Sequence, residues 1–271
     1  MVESPLYVLY ENFICLFDYF LQKGISLLYA KLLFDGYPEK DVVCWNSMID
    51  AYVKAGEMEL ARLVFDEMPC RDVVSWNSVI NGYGVVGSLD EAKKLFDQMP
   101  GRNVVSWNSM LAGYVKCGCV EDAVKMFRRM PRRDVVLWNA MLACYAQNGK
   151  SNEALALFDE MKVAGVRANE ATVVSVLSAI GQLGGLDQGL QLHMYTNEND
   201  IKINPIVATA LIDMYVKCGN VVEPLDVFNS MQTKDILPWN TMVIGMGMHG
   251  HANDAQQLFK QIQLEGIVRT Q

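Results

Sequence analysis

The sequence predicts an all-α fold, a solenoid of about seven to eight helix-turn-helix repeats, on the strength of three observations. Four tryptophans lie 31 residues apart, each followed by asparagine: Trp45, Trp76, Trp107 and Trp138. Another Trp-Asn pair begins at Trp239, after an interval of 101 residues that fits two repeats of 35 and one of 31. Glycine then falls at position 15 of all seven repeats: Gly56, Gly87, Gly118, Gly149, Gly184, Gly219 and Gly250. Such self-similarity is typical of helical-repeat arrays.

These landmarks divide the chain into a repeat array and a short N-terminal segment. Repeats 1 to 7 span residues 42–72, 73–103, 104–134, 135–169, 170–204, 205–235 and 236–271. Residues 1–41 form a degenerate N-terminal repeat or cap, in which 30–41 matches the end of repeat 1. We expect this cap to pack against repeat 1 and to bind nothing.

Each repeat is predicted to form two short helices. In repeat 1, Trp45, Ile49 and Tyr52 are apolar at helical spacing, and Gly56 ends the helix because glycine adopts the left-handed conformation without steric cost. A second helix follows, with Ala61 and Phe65 on one apolar face. Neither helix can bury its apolar face alone, so neighbouring hairpins must stack.

Composition and charge restrict the possible functions. The formal net charge of −8 counts against nucleic-acid binding, which normally uses an excess of Lys and Arg. The seven cysteines are odd in number, and none is spaced as Cys-x-x-Cys. We therefore expect buried thiols in a reducing compartment, with no metal site and no cofactor.

The N-terminal segment raises the question of a membrane span. Leu6 to Leu21 is largely apolar, but Glu11, Asn12 and Asp18 interrupt it, so we predict no membrane association. The segment also lacks arginine and is not a good targeting peptide. Either the targeting sequence is missing, or the chain begins inside a longer protein.

Two strings of repeat 1 carry a family resemblance. Residues 41–49, DVVCWNSMI, and 61–69, ARLVFDEMP, closely resemble plant pentatricopeptide repeat proteins. The mixture of 31- and 35-residue repeats resembles the PLS subfamily. The resemblance implies a right-handed superhelix that binds single-stranded RNA sequence-selectively, one base per repeat. It further implies a specificity adaptor for RNA editing or processing in the mitochondrion or chloroplast.

In that family, position 5 of each repeat and its last residue together bind the base. The resemblance therefore implies these pairs: Asn46 with Asp72, Asn77 with Asn103, Asn108 with Asp134, Asn139 with Asn169, Val174 with Asn204, Thr209 with Asp235, and Asn240 with Thr270. Aspartate accepts from the imino N–H of uracil or guanine, whereas asparagine can donate to cytosine N3. The expected bases are U, C or U, U, C or U, any base at Val174, which cannot hydrogen-bond, then G, and weakly C.

Two further positions are implied to contact RNA. Position 2 supplies apolar contacts to base faces, with Ala171 as the exception: Val43, Val74, Val105, Val136, Ile206 and Leu237. Position 13 supplies lysines that could meet phosphates: Lys54, Lys116 and Lys217. These cations weaken the objection from net charge without removing it.

Rival interpretations remain open. Asp72, Asp134 and Asp235 each precede a helix, so they could act as N-caps instead of, or as well as, base-binding residues. The array could be a protein-binding scaffold, or a truncated paralogue that binds nothing; RNA binding should weaken steeply with salt, and scaffolding should not. Deaminase chemistry needs His-x-Glu and Cys-x-x-Cys motifs, and the sequence contains neither. We expect no enzyme activity, so editing would require a deaminase in trans or a longer natural chain.

Overall fold

The computed structural model describes residues 27–37, 39–231, 234 and 236–264. Within these residues the chain forms fifteen α-helices and no strand, which confirms the all-α prediction. The helices are α1 (Leu27–Gly36), α2 (Val42–Ala55), α3 (Met58–Glu67), α4 (Val73–Val86), α5 (Leu89–Gln98), α6 (Val104–Lys116), α7 (Val120–Arg129), α8 (Val135–Gln147), α9 (Ser151–Val163), α10 (Glu170–Leu183), α11 (Leu186–Glu198), α12 (Pro205–Lys217), α13 (Glu223–Ser230), α14 (Ile236–Met248) and α15 (Ala252–Leu264).

Each repeat is one helical hairpin, and its first helix begins at the first residue of the repeat. The glycine at position 15 follows that helix in all seven repeats, with a positive φ between 67° and 82°. This left-handed conformation is the one predicted from the sequence, and it turns the chain into the second helix.

The helices pack within two compact units, residues 1–130 and 131–271. In the first unit, α2 packs on α4 and α4 packs on α6; in the second, α8 packs on α10, α10 on α12 and α12 on α14. Helices α4 and α6 approach closely, because a Cβ at Gly113 would lie only 3.1 Å from the Cα of Gly84. Small residues at this crossing let two backbones come together.

The 35-residue repeats differ from the shorter ones at their second helix. This helix has 13 residues in α9 and α11, but 10 in α3, α5 and α7. In repeats 4 and 5 a second left-handed residue follows it, Gly165 with φ of 71° and Asp200 with φ of 54°. The extra residues therefore lengthen the helix and add a turn before the next repeat.

The expectation of buried thiols is only partly correct. Cys44 and Cys144 are buried, and burial raises the pKa of the Cys44 thiol to about 11, with its hydrogen bond to Asp41 adding to the rise. Cys70 and Cys117 are exposed, because both lie in turns that follow a helix. None of the six cysteines in the described part of the chain forms a disulfide.

The predicted absence of a membrane span concerns mainly the N-terminal segment. Residues 6–21, on which that prediction was made, lie outside the described residues. Among the helices that are described, none has both the length and the hydrophobicity needed to span a bilayer.

Candidate nucleic-acid interface

In repeats 1 to 5, the last residue is fixed by the start of the following helix. Its side chain caps that helix by accepting a hydrogen bond from the backbone N–H three residues later. The distances are 2.9 Å for Asp72, 3.0 Å for Asn103, Asp134 and Asn204, and 3.1 Å for Asn169. N-capping is thus a role of Asp72 and Asp134, as the rival interpretation proposed, and it also fixes where these side chains point.

Capping brings three of the predicted pairs into direct contact. The side-chain amide of the position-5 asparagine donates to the Oδ1 atom of the last residue in repeats 1, 2 and 4. The distances are 3.2 Å for Asn46 to Asp72, 3.3 Å for Asn77 to Asn103, and 2.9 Å for Asn139 to Asn169. Two residues separated by most of a repeat therefore form one polar cluster.

The remaining pairs are placed less completely. Asn108 and Asp134 lie in different compact units; Asn108 is half-buried and Asp134 is exposed. Val174 is half-buried, while Asn204 caps α12. The hydroxyl of Thr209 donates to the carbonyl of Pro205 in its own helix, at 2.7 Å. Asn240 is exposed, and its predicted partner Thr270 lies outside the described residues, as does Asp235.

Asp72 is ionised more readily than an ordinary aspartate. Burial alone would raise its pKa, but hydrogen bonds from the Ser75 backbone and the Asn46 side chain outweigh that effect and lower it. Both bonds fall on Oδ1, so the second carboxylate oxygen takes part in neither. Repeat 1 thus holds a charged acceptor in a fixed position.

An exposed apolar side chain accompanies each polar pair. The position-2 residues Val43, Val74, Val105, Val136, Ile206 and Leu237 are between 46% and 68% exposed, although hydrophobic side chains of this size are usually buried. Position 2 precedes position 5 by three residues, so the two side chains share one face of the helix. The repeats therefore place an exposed apolar side chain next to a position-5 side chain that ranges from buried, as in Asn77, to exposed, as in Asn240.

The position-13 lysines are engaged in other contacts. Lys54 forms an ion pair with Asp50 and Lys217 forms one with Asp213, each at 2.6 Å and one helical turn apart. Lys116 donates to the carbonyl of Val85 at 2.8 Å. These lysines remain accessible to solvent, but two of the three charges are offset by an aspartate.

Sequence reasoning missed the basic residue at position 30 of the 31-residue repeats. The Arg71 guanidinium lies over the Phe65 ring, 4.9 Å from its centroid, and donates to the carbonyls of Phe65 and Asp66. Arg102 makes the equivalent contacts with Phe96 and Asp97. Each arginine directly precedes a capping residue, so it anchors the segment that carries Asp72 or Asn103. The repetition of a cation at this position was the available signal.

Among the described residues, no group of three or more His, Cys, Asp and Glu side chains is placed to hold a metal ion. His193 stands in repeat 5 where repeat 1 has Phe65; it is half-buried and hydrogen-bonds to the Tyr215 hydroxyl through Nδ1 at 2.9 Å.

The repeat pattern matches a known family. The model described as "PPR repeat" matches residues 43–73, 74–104, 105–135, 206–236 and 238–267, and that described as "PPR repeat family" matches residues 133–182. Together they cover well over half of the chain. The chain belongs to the pentatricopeptide repeat family. It is a pentatricopeptide repeat protein of the plant type, with plant relatives as follows.

Similar pentatricopeptide repeat proteins come from Arabidopsis thaliana. One is 43% identical over 109 residues, which cover 40% of this chain and 18% of the relative. The chloroplastic protein ELI1 is 44% identical over 97 residues, covering 36% and 15%, and a mitochondrial relative is 37% identical over 108 residues, covering 40% and 16%. These matches thus span less than a quarter of each relative's length.

Solved pentatricopeptide repeat structures share the fold. The maize protein PPR10 is 20% identical with a TM-score of 0.61, over 96% of this chain and 44% of the maize chain. The same protein in complex with an 18-nucleotide psaJ RNA element gives a TM-score of 0.68 at 20% identity, over 89% and 38%. At this identity the likeness shows the helical-repeat fold.

Proposed function

We propose that this chain binds single-stranded RNA sequence-selectively, with one base bound per repeat. The observation that carries the proposal is the contact between position 5 and the last residue in repeats 1, 2 and 4. Two side chains this far apart in sequence need not meet in a scaffold that serves only to stack helices. The PPR10 structure with an RNA element supports the same function for a related fold.

The chemistry of each cluster suits a single base. The exposed position-2 side chain offers an apolar surface for a base face, and the polar pair offers hydrogen bonds to the base edge. Single-stranded RNA exposes both, and helical-repeat proteins bind it one base per repeat. In repeat 1, the ionised Asp72 can accept from the imino N–H of uracil, so this repeat should prefer U.

Affinity should come mainly from these contacts, since the net charge is −8 and the position-13 lysines already have partners. If Lys54, Lys116 and Lys217 each met one phosphate, the logarithmic salt slope would be only about −2. Because these lysines are few and already have partners, we replace the steep salt dependence expected from the sequence by a modest one.

The biological setting is proposed from the family. Repeat lengths of 31 and 35 residues in one array support the PLS subfamily, and relatives named chloroplastic and mitochondrial support one of these two organelles. We propose that the chain acts there as a specificity adaptor for RNA editing or processing. A deaminase or another editing factor would then act in trans on the bound transcript.

The test is a gel-shift titration with the RNA U-C-U-C-A-G-C and its complement at two salt concentrations. We expect tighter binding to the first RNA. The double variant Asn46→Ser with Asp72→Asn should lose the preference for U at the first nucleotide and gain one for a purine, because serine at position 5 pairs with purines in this family. An RNA beginning with A should then restore tight binding.

Two outcomes would overturn the proposal. Equal affinity for the RNA and its complement would mean that no base is selected. Absence of binding to either RNA would favour a protein-binding scaffold or a non-binding paralogue. Circular dichroism on the double variant checks that the helices remain folded, because Asp72 also caps α4.

A further inference from the structure

Repeats 2 and 4 carry the same two base-binding residues but not the same contacts. Both have asparagine at position 5 and asparagine at the end, namely Asn77 with Asn103 and Asn139 with Asn169. A rule based on these two positions predicts the same preference, C or U, for both repeats. A third residue distinguishes them: the hydroxyl side chain at position 3 of the following repeat, Ser106 after repeat 2 and Thr172 after repeat 4.

In repeat 2, the position-5 amide is held by one long hydrogen bond. Asn77 donates to Asn103 at 3.3 Å, and the buried carbonyl oxygen Oδ1 of Asn77 has no hydrogen-bond partner. The Ser106 hydroxyl interacts only with Asn103, at 3.2 Å from its backbone nitrogen and 3.0 Å from its Oδ1. An unpaired buried acceptor is unfavourable, so a new donor would stabilise it.

In repeat 4, the equivalent amide is held at both ends. Asn139 donates to Asn169 at 2.9 Å, and the Thr172 hydroxyl donates to the Asn139 carbonyl oxygen at 2.6 Å. Thr172 is fully buried, and its oxygen also accepts from the Asn169 backbone N–H at 3.0 Å. The Thr172 oxygen also lies 3.1 Å from the Oδ1 of Asn169, but its one hydrogen goes to Asn139 at the shorter distance. The three residues thus form a closed set of hydrogen bonds, through two side-chain bonds and one backbone N–H, that fixes the orientation of the amide.

This difference determines how easily each amide can turn over. In repeat 2, rotation by half a turn breaks one bond of 3.3 Å and exchanges the amide nitrogen of Asn77 for its unpaired oxygen, which then lies beside the Oδ1 of Asn103; the flipped amide of repeat 4 would meet Asn169 in the same way. In repeat 4, the same rotation breaks two shorter bonds. The Asn77 amide can therefore present either a donor or an acceptor, whereas the Asn139 amide is held with its oxygen committed to Thr172.

The pyrimidines differ at the atom that such an amide would meet. Cytosine has an acceptor at N3, and uracil has an imino N–H donor there. An amide that can turn over satisfies either base. An amide fixed as a donor satisfies cytosine and opposes the N–H of uracil. The last residue does not compensate in repeat 4, because the Oδ1 of Asn169 already accepts from Asn139 and from the Thr172 backbone.

We propose that Thr172 is a positioning residue that makes repeat 4 selective for C, while repeat 2 accepts both C and U. The proposal rests on the proposed RNA binding and adds a third specificity-determining position to it. Thr172 acts through Asn139 and need not touch the RNA. The proposal also predicts that two repeats with the same pair of base-binding residues differ in selectivity.

The first experiment uses the unaltered chain. Binding is titrated with U-C-U-C-A-G-C and with two RNAs in which the second or the fourth nucleotide alone is changed from C to U. At the fourth nucleotide we expect about three- to tenfold weaker binding of the U-containing RNA, the effect of about one hydrogen bond. At the second nucleotide we expect the two affinities to agree within about twofold. Equal discrimination at both nucleotides would overturn the proposal without any variant.

Matched variants then test the hydroxyl itself. Thr172→Val removes the bond to Asn139 and also the capping bond to the Asn169 backbone; Ser106→Ala removes the capping hydroxyl after repeat 2 and leaves Asn77 untouched. We expect Thr172→Val to reduce the C-over-U ratio at the fourth nucleotide to about that of the second, and Ser106→Ala to change neither ratio. An unchanged ratio in Thr172→Val would refute the role of Thr172.

The failure of this inference can be told apart from failure of the proposed function. If the first nucleotide is still selected as U while the second and fourth behave alike, RNA binding stands and only the role of Thr172 falls. If no RNA is bound selectively by the unaltered chain, the proposed function falls and the inference with it. A thermal melt of each variant shows whether loss of the capping bond has merely unfolded the helix.

Discussion

The 31-residue and 35-residue repeats solve the same packing problem with different side chains at the junction to the next repeat. In repeats 1, 2 and 6, which have 31 residues, the Phe at position 24 meets the Trp of the next repeat edge to face. The ring centroids are 4.9 Å apart for Phe65 with Trp76 and for Phe96 with Trp107, and 4.7 Å for Phe228 with Trp239. A basic residue at position 30 also lies over the ring of this Phe: Arg71, Arg102 or Lys234.

The longer repeats lack this arrangement. Phe158 of repeat 4 contacts Tyr195 edge to face at 5.6 Å, and the lysine over its ring is Lys162 of the same helix. Repeat 5 has His193 in place of the Phe, and this side chain packs against Tyr215. The basic residues that approach the end of these repeats, Arg167 and Lys202, are exposed.

The difference shows what the four extra residues change. In a short repeat, the arginine before the capping residue is tied to the second helix, so the segment holding Asp72 or Asn103 is drawn against the core. In a long repeat, the second helix is longer, and a left-handed turn lies between its end and the capping residue. The shorter repeats thus position their last residue through an aromatic and cationic stack, and the longer ones through the turn.

Loss of the aromatic stack should have the largest effect. We expect Phe65→Ala to lower the free energy of unfolding by about 3–5 kcal/mol, because the ring is almost fully buried between Trp76 and Arg71. His193→Ala at the equivalent position of a long repeat should cost only about 1–2 kcal/mol, since the imidazole is half-buried and holds one hydrogen bond. Urea unfolding measures both; equal losses would contradict the distinction between the two junctions.

Removal of the cation should lower the free energy of unfolding by a smaller amount, and only in the short repeats. Arg71→Ala removes two hydrogen bonds, of 2.8 and 2.7 Å, and a contact with the Phe65 ring, so we expect a loss of about 1–2 kcal/mol. Arg167→Ala is the control. This exposed arginine has no hydrogen bond or ion pair to any residue that the structure describes, and its removal should change stability by less than about 0.5 kcal/mol. If both variants melt like the unaltered chain, the cation plays no part in the junction.

The sequence predicted most of what recurs in every repeat and little of what depends on side-chain direction. The spacing of Trp45 and Gly56 predicted the helices, and the residue type of Asp72 predicted its capping role. The ion pair of Lys54 with Asp50 could have been anticipated from their spacing of four residues.

Other features could not have been predicted. That Arg71 folds back over Phe65 depends on the path of the turn between them. No sequence pattern predicts the contrast between Ser106 and Thr172. Both residues place a hydroxyl group at position 3, but only the hydroxyl of Thr172 hydrogen-bonds to the position-5 amide of the preceding repeat.

The smallest expected effect is a pH dependence carried by repeat 5. Burial lowers the pKa of His193 below its ordinary value of 6.5, and Glu223 opposes this shift only in part. The folded state therefore favours the neutral imidazole. Its contribution to stability is fully present above pH 6.5 and is lost as the pH falls, since the unfolded chain then binds the proton more readily.

His193→Phe restores the residue found at this position in the other repeats and removes the titrating group. Between about pH 7.5 and about pH 5.5, we expect the urea midpoint of the unaltered chain to fall more than that of His193→Phe. Because both chains share every other titratable group, the difference between their two slopes isolates His193. Parallel slopes would mean that the imidazole binds its proton equally well in the folded and unfolded chain, and that the long-repeat junction is no more sensitive to pH than the Phe–Trp junctions.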